Sequence, residues 1–351
     1  MTTPFLYYIV LQCLKKINGE RTIFSIYHLL TGKKSSQTIQ DAHLFQLTQY
    51  FKTYHSMNRQ QFEELVNELE LREYISCVDE QYYKVTEQAV IFIDKAKIQY
   101  SFLQYLDGWR FQGAQHFWER MSLLVQVVSH LSRKETSYIP VQRDKQIQIW
   151  LKQFLMSHRI NRRELNKQLY KELQYSFENV QNINPSVLVI RLTGYNAIGL
   201  TARQASEVLR IEPTLYHYQF QAILHFLMDK IQNNPSYFPL LGTMQKDLRT
   251  ENPLTQSTRK TYELLNRGHS IEEVGRIRNL KVNTIQDHIV ELALQVGSFD
   301  ITPYIDKDKM RRILDAKDNT TSTQLRYIRE IVPDASYFEI RLALTRYGDE
   351  P

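Results

Sequence analysis

The stretch LTGKKSSQTIQDA, Leu30 to Ala42, contains a Gly-Lys-Lys-Ser-Ser run, the residue types from which a phosphate-cradling loop is built. Such a loop needs Gly, four residues, then Gly-Lys-Ser/Thr, because successive backbone N–H groups wrap the phosphates and the hydroxyl after the Lys holds magnesium. Tyr27 stands at the first Gly position and Lys34 at the hydroxyl position. The residues upstream, TIFSIYHLL, read as an amphipathic helix and not as the strand that feeds such a loop. Gly32 is instead expected to close one helix, and Ser35 or Ser36 to cap the next by accepting a backbone N–H. Gln37, Thr38 and Gln40 then open that helix.

Other residues able to do chemistry are scattered. His217 and His225 lie eight apart with no third ligand in view, and Cys13 and Cys77 stand far apart without a C-x-x-C, so both cysteines read as small buried hydrophobes in a reducing compartment. Acid pairs such as Glu63-Glu64 and Glu272-Glu273 read as solvated helix faces or caps. No nucleophile, base and orienting group form a recognisable set. The expectation is a protein that is not an enzyme, with no cofactor, no metal and no small-molecule substrate. PFLYYIVLQCL near the N-terminus and MSLLVQVVSHL at Met121–Leu131 are of core-helix length, too short to span a membrane. A cytoplasmic protein without a membrane partner follows as the expectation.

Net charge is +6, and its placement is informative. Residues 1–110 carry 12 Lys/Arg against 12 Asp/Glu, residues 111–250 carry 17 against 10, and residues 251–351 carry 15 against 16. Within the middle, Ser132 to Phe177 holds 10 basic residues against 4 acidic, Arg159, Arg162 and Arg163 among them, interleaved with Tyr138, Trp150, Phe154, Tyr170 and Tyr175. A basic, aromatic-laced stretch suits phosphates and stacked bases. The competing reading is a solvated helix face with Trp150, Leu151 and Phe154 in the core.

With few Gly and Pro, 11 and 10, the chain is expected to be mainly α. Three domains are expected. Residues 1–94 hold helices near 4–17, 22–31 and 37–54, then a helix capped by Asn58 with Phe62, Leu65, Val66 and Leu69 inward. A hairpin, Tyr74–Val78 and Tyr82–Thr86 around Asp79-Glu80-Gln81, makes the segment winged-helix-like. Residues 95–250 form a helical, basic middle domain, in which Ala202–Leu209 and about Thr214–Ile231 meet across Glu212-Pro213 as core helices or a degenerate helix-turn-helix. A polar linker at about 243–256 leads to a C-terminal helix-turn-helix domain, 255–351.

That last domain carries the functional reading. In STRKTYELLNRGHSIEEVGRIRNLKVNTIQDHIVELALQVG, from Ser257, a first helix carries Tyr262 and Leu265 inward and stops at Gly268, and Ser270 caps a second with Val274 buried and the small Gly275 where helices approach. Asn279 takes the left-handed turn position and a third helix starts at Val282. Its Ile285, Ile289, Leu292 and Val296 fall inward; Asn283, Gln286, Asp287, Val290 and Glu291 fall outward. SIEEVGRIRNLKVNTIQDHI, with the tail VPDASYFEIRLALTRYG, resembles the helix-turn-helix module at the C-terminus of some RecQ-type DNA helicases. ERTIFSIYHLLTGKKSSQTIQDAHLF resembles the N-terminus of the YpbB family of Gram-positive bacteria. The resemblance implies a protein without helicase motifs that works beside a RecQ-type helicase in DNA repair or recombination.

Phosphate affinity rests on Lys and Arg, and base readout favours Arg, Lys, Asn and Gln. The third helix has no Lys or Arg, but Arg276, Arg278 and Lys281 flank it. The expected DNA-contacting set is therefore Arg276, Arg278, Lys281, Asn283, Thr284, Gln286 and His288, with Arg159, Arg162 and Arg163 in the middle domain. An outward Val290 would favour a different reading, an adaptor that docks the helicase without touching DNA. A transcription regulator is a weaker alternative, since no dimerisation helix or effector pocket is legible.

Overall fold

A computed structural model describes residues 4–157, 162–178, 180–248, 254–319 and 325–346. The elements in chain order are α1 (Pro4–Ile17), α2 (Phe24–Thr31), α3 (Ser36–Leu44), α4 (Arg59–Leu71), β1 (Ile75–Asp79), β2 (Tyr82–Val85), α5 (Glu87–Ala96), α6 (Ala114–Ser132), α7 (Lys145–Ser157), α8 (Arg162–Phe177) and α9 (Ser186–Val189). They continue as α10 (Ala202–Leu209), α11 (Pro213–Asn233), α12 (Pro239–Gln245), α13 (Gln256–Leu265), α14 (Ile271–Arg278), α15 (Val282–Gln295), α16 (Lys307–Asp318), α17 (Leu325–Ile331) and α18 (Tyr337–Leu344). The protein is mostly helical, and among the described residues none of its helices is long and apolar enough to cross a membrane.

The chain groups into two units, residues 1–9 with 91–250 and residues 10–90 with 251–351. The winged-helix-like segment and the helix-turn-helix segment, read as separate domains in the sequence, therefore contribute to one unit. α3 packs directly on α15, a long-range pairing that no local pattern announces.

In the first unit α6 and α11 form the centre. α11 buries Tyr216, Tyr218, Phe220, Ile223, Leu224, Leu227 and Ile231, so it is a core helix covered on most sides. Glu212 caps it through the N–H groups of Thr214 and Leu215. Ile147, Leu151 and Phe154 turn α7 inward, and Trp150 stacks on Phe154 at 5.2 Å. The buried Glu172 of α8 accepts the N–H groups of Leu240 and Leu241 at the start of α12, a carboxylate placed on a positive helix end. Arg120 of α6 makes a two-pronged bond to Asp247, donates to the Met244 carbonyl and lies 4.5 Å from the Trp150 ring centre. The stretch from Thr243 to Gln245, expected as linker, is thus the end of a core helix with Met244 and Gln245 fully buried.

In the second unit Asn58 and Gln61 form a capping box at α4, whose Phe62, Leu65, Val66 and Leu69 are buried. The hairpin pairs Ile75 with Val85, Ser76 with Lys84 and Cys77 with Tyr83 before a bulge. Cys77 is exposed on that hairpin, unlike Cys13, whose burial pushes its thiol up to about 12. The helix expected over 37–54 stops at Leu44: the chain turns at Phe45 and Gln46, Gln46 takes a φ of 52°, and a single 3-10 turn follows at Thr48–Tyr50.

The Gly-Lys run is a helix junction. Gly32 ends α2 with a φ of 76° and its N–H returned to the His28 and Leu29 carbonyls, and Ser35 caps α3 through the Thr38 N–H. A Cβ on Gly32 would also sit 2.5 Å from Lys52 Cβ. Gly32→Ala is therefore expected to destabilise the protein by at least about 1–2 kcal/mol from the left-handed backbone alone. Denaturant unfolding checks this, and a neutral substitution would contradict it.

Candidate nucleic-acid interface

α13, α14 and α15 build the helix-turn-helix. Thr255 caps α13, and the Ser270–Glu273 capping box opens α14. Asn279, at φ 51°, returns its N–H to the Arg276 carbonyl while Leu280 donates to the Gly275 carbonyl, which closes α14 in a left-handed turn. A Cβ on Gly275 would lie a tight 3.1 Å from the Leu280 carbonyl oxygen, so the close neighbour of this small residue is the turn.

α15 is held on most sides. Val274, Ile285, Ile289, Val290 and Ala293 share one core with Ile340 and Leu342 of α18, and Leu292 and Val296 form a second cluster with Leu254. Tyr262 and Leu265 pack half-buried on these clusters, as expected, and beside them Thr258 and Thr261 are fully buried on the inner face of α13. Glu291, fully buried, accepts bonds from Thr258 Oγ1 at 2.6 Å and the Thr255 N–H at 2.6 Å, so it reinforces the α13 cap. Burial pushes its carboxyl up while those donors oppose the shift. His288 shares a 2.8 Å hydrogen bond with Thr261 Oγ1, and Asp287 accepts one from Arg341 of α18 at 2.6 Å.

This packing revises the expected set. Val290 and Glu291, read as outward, are core residues: Val290 joins the core shared with α18, and Glu291 faces α13 through Thr255 and Thr258. His288 is buried. Arg278 donates to the Ser257 carbonyl, Ser257 Oγ and Thr261 Oγ1, tying α14 to the start of α13. Neither is displayed for DNA. Arg276, Lys281 and Asn283 are exposed and Thr284 and Gln286 half-buried, and the side chains of Arg276, Lys281, Asn283 and Gln286 have no hydrogen-bond or ion-pair partner among the described residues. The open surface is thus the turn and the first turn of α15. Arg259 and Lys260 on α13 add exposed cations that sequence reasoning passed over. The RK pair between Thr258 and Thr261 was the available signal.

In the middle segment Arg159 lies outside the described residues, and Arg162 and Arg163 are described in backbone only, at the start of α8. Arg133, Lys134, Arg143, Lys145, Lys152 and Lys171 are exposed without an ion pair among the described residues. The aromatics divide: Phe154 is buried and Trp150 lies under Arg120, whereas Tyr170 is 66% exposed. His225, buried in α11, accepts the Asp107 N–H and so has a structural partner.

A fold of this kind, with an exposed turn of unpaired polar and basic groups, defines a helix-turn-helix protein, and a family described as helix-turn-helix domain matches residues 257–344. Such a domain suggests DNA binding. Over 340 residues the chain is 34% identical to Protein YpbB of Bacillus subtilis (strain 168), covering 96% of each chain, and it belongs to the YpbB family. No solved structure matches it.

Three imidazoles shifted by their surroundings set a pH dependence. Burial pulls His43 and His288 down to about 4 and His225 to about 3, with Arg278 adding to the effect at His288. The unfolded chain takes up these protons near pH 6.5, so stability that is full above that value is lost as pH falls from about 6.5 toward 4. The raised Glu291 carboxyl works in the opposite sense. The melting temperature is expected to fall between pH 7 and pH 5, and to fall less in a His288→Gln protein; equal slopes would contradict the role given to His288.

Proposed function

We propose that this chain is a non-enzymatic, cytoplasmic DNA-binding protein that works with a RecQ-type helicase in DNA repair or recombination. The observation that carries the DNA reading is the open end of α15. Asn283, exposed, and Gln286, half-buried, stand three apart near the start of α15 beside two exposed cations, Arg276 and Lys281. Amides suit adenine edges, and the cations suit the flanking phosphates. Recognition helices commonly contact bases through their N-terminal residues, so an end-on approach needs only the turn that is free. The exposed cations of 132–177 supply a second, sequence-independent phosphate contact. The helicase partnership rests on the resemblance of the two ends of the chain to the YpbB family and to the RecQ-type module.

A second reading has its own observation. Ile277 is 56% exposed and Val282 39% exposed beside the same turn, an apolar pair that suits docking onto the helicase. Val290 lends docking no support, since that side chain is buried.

Duplex affinity measured by fluorescence anisotropy at two salt concentrations separates the readings. Asn283→Ala with Gln286→Ala is expected to weaken binding to a preferred site by about 1–3 kcal/mol for each amide that pairs with a base edge. Arg276→Ala with Lys281→Ala is expected to make the log–log salt slope shallower by about 0.9 for each phosphate those cations neutralise. Unchanged DNA binding together with failure to capture the helicase would establish docking instead. The purified chain is also expected to hydrolyse no ATP; turnover abolished by Lys33→Ala would contradict the helix-junction reading of the Gly-Lys run.

A further inference from the structure

The even charge of residues 1–110 hides an asymmetry. Residues 10–58 carry six basic residues, Lys15, Lys16, Arg21, Lys33, Lys34 and Lys52, against two acids, Glu20 and Asp41, whereas residues 59–90 carry three basic residues against eight acids. Most of those acids lie on α4 and the hairpin, the recognition helix and wing of a winged-helix reading. Three of the lysines are brought to one place. Lys33 and Lys34 follow Gly32 at the end of α2, and the N–H groups of Lys52 and Tyr54 donate to the Leu29 and Leu30 carbonyls at 2.9 and 2.8 Å, which lays the later segment against the same helix end. The missing side chain of Gly32 lets Lys52 close on it, and Lys52 itself holds a left-handed φ of 59°, uncommon for a residue of its type. Burial lowers the His28 imidazole, and the charges of Lys33 and Arg59 lower it further, which brings a fourth cation near, one already paired with Glu63. Lys33, Lys34 and Lys52 are exposed and their side chains make no ion pair or hydrogen bond among the described residues. The charge of Lys34 reaches the buried Glu291 of α15, and α3, which begins two residues after Lys34, packs on α15. The lysines therefore belong to the same body as the helix-turn-helix.

We propose that the α2–α3 junction is a patch for the DNA backbone, with Lys33, Lys34 and Lys52 as its phosphate-contacting cations, and that α4 and the hairpin take no part. This rests on the DNA-binding reading and adds to it a contact that the helix-turn-helix segment does not supply. Like charges gathered on one surface repel each other, and a polyanion laid across them relieves the repulsion. Among the described residues no large apolar side chain is exposed between residues 10 and 58. Protein and lipid contacts draw on such anchors, whereas a phosphate backbone needs only cations. The contact positions the protein on DNA and is blind to base sequence. It also gives the Gly-Lys-Lys run a role: phosphates are met by side chains on an open junction, not by the backbone N–H groups of a cradle.

The test is fluorescence anisotropy of the full chain with a random-sequence duplex at several salt concentrations, beside labelled poly-L-glutamate as an acidic polypeptide. Lys33→Gln with Lys34→Gln and Lys52→Gln is expected to raise the duplex Kd by about tenfold or more and to make the log–log salt slope shallower by about 0.9 for each phosphate released. Lys33→Arg with Lys34→Arg and Lys52→Arg keeps the charges and is expected to keep the slope. Lys84→Gln, on the hairpin, is expected to bind as wild type does. The three junction side chains are exposed, so every variant is expected to melt cooperatively, and the arginine set separates lost charge from lost structure. This inference alone is overturned if the wild type binds duplex and the glutamine variant keeps its affinity and slope, if the arginine variant loses as much as the glutamine one, or if Lys84→Gln does. Poly-L-glutamate binding that is lost in the glutamine variant while duplex binding is unchanged would assign the patch to an acidic protein partner instead. No duplex binding by the wild type would overturn the DNA reading and this inference with it.

Discussion

The second unit depends on how α15 is held. Its buried carboxylate, Glu291, accepts the Thr255 N–H and the Thr258 hydroxyl, and one turn earlier His288 bonds Thr261. A buried charge is tolerable only with such partners, and removing one leaves the other unsatisfied. These two interactions fix the register of α13 against α15. Arg278 reaches the same Ser257–Thr261 turn from α14 and locks the third helix of the module into the arrangement. Arg278, His288 and Glu291 are thus committed to holding the module together.

The consequence for function is geometric. With α3 and α18 covering its length, α15 cannot lie along a major groove, and what it offers is an end: a left-handed turn at Asn279, one helical turn of polar side chains and a cation on either side. An end-on contact buries little surface and reads few bases, so much of the affinity must come from phosphates. Several lysines and arginines of 132–177 are exposed without an ion pair among the described residues, as such a contact would require.

Local chemistry was legible in the sequence. The caps at Ser35, Asn58 and Ser270, the left-handed Asn279, the inward stripe Ile285, Ile289 and Leu292, and the hairpin around Glu80 all depend on residues within a few positions of each other. Long-range packing was not. Val290 sits on the polar-looking side of α15 and gives no sign that α18 will share its core, nor does Glu291 show that Thr255 and Thr258 will bury it. Arg278 and His288 have residue types that suit DNA, and only the fold shows them turned toward Ser257 and Thr261. The helix expected to reach residue 54 failed for a related reason: Gln46 and Lys52 adopt left-handed conformations, with φ of 52° and 59°, that side-chain type does not advertise. Met244 and Gln245 likewise look like linker until Arg120 and Asp247 pin the chain there.

Hydrogen exchange resolved along α15, with and without a duplex, tests the central claim most directly. If α15 is a core helix that meets DNA only at its end, amides 288–293 exchange slowly in the free protein and do not change on adding DNA, while those of 281–286 gain protection. Rapid exchange across 288–293 in the free protein, or a DNA-induced change centred there, would contradict the account.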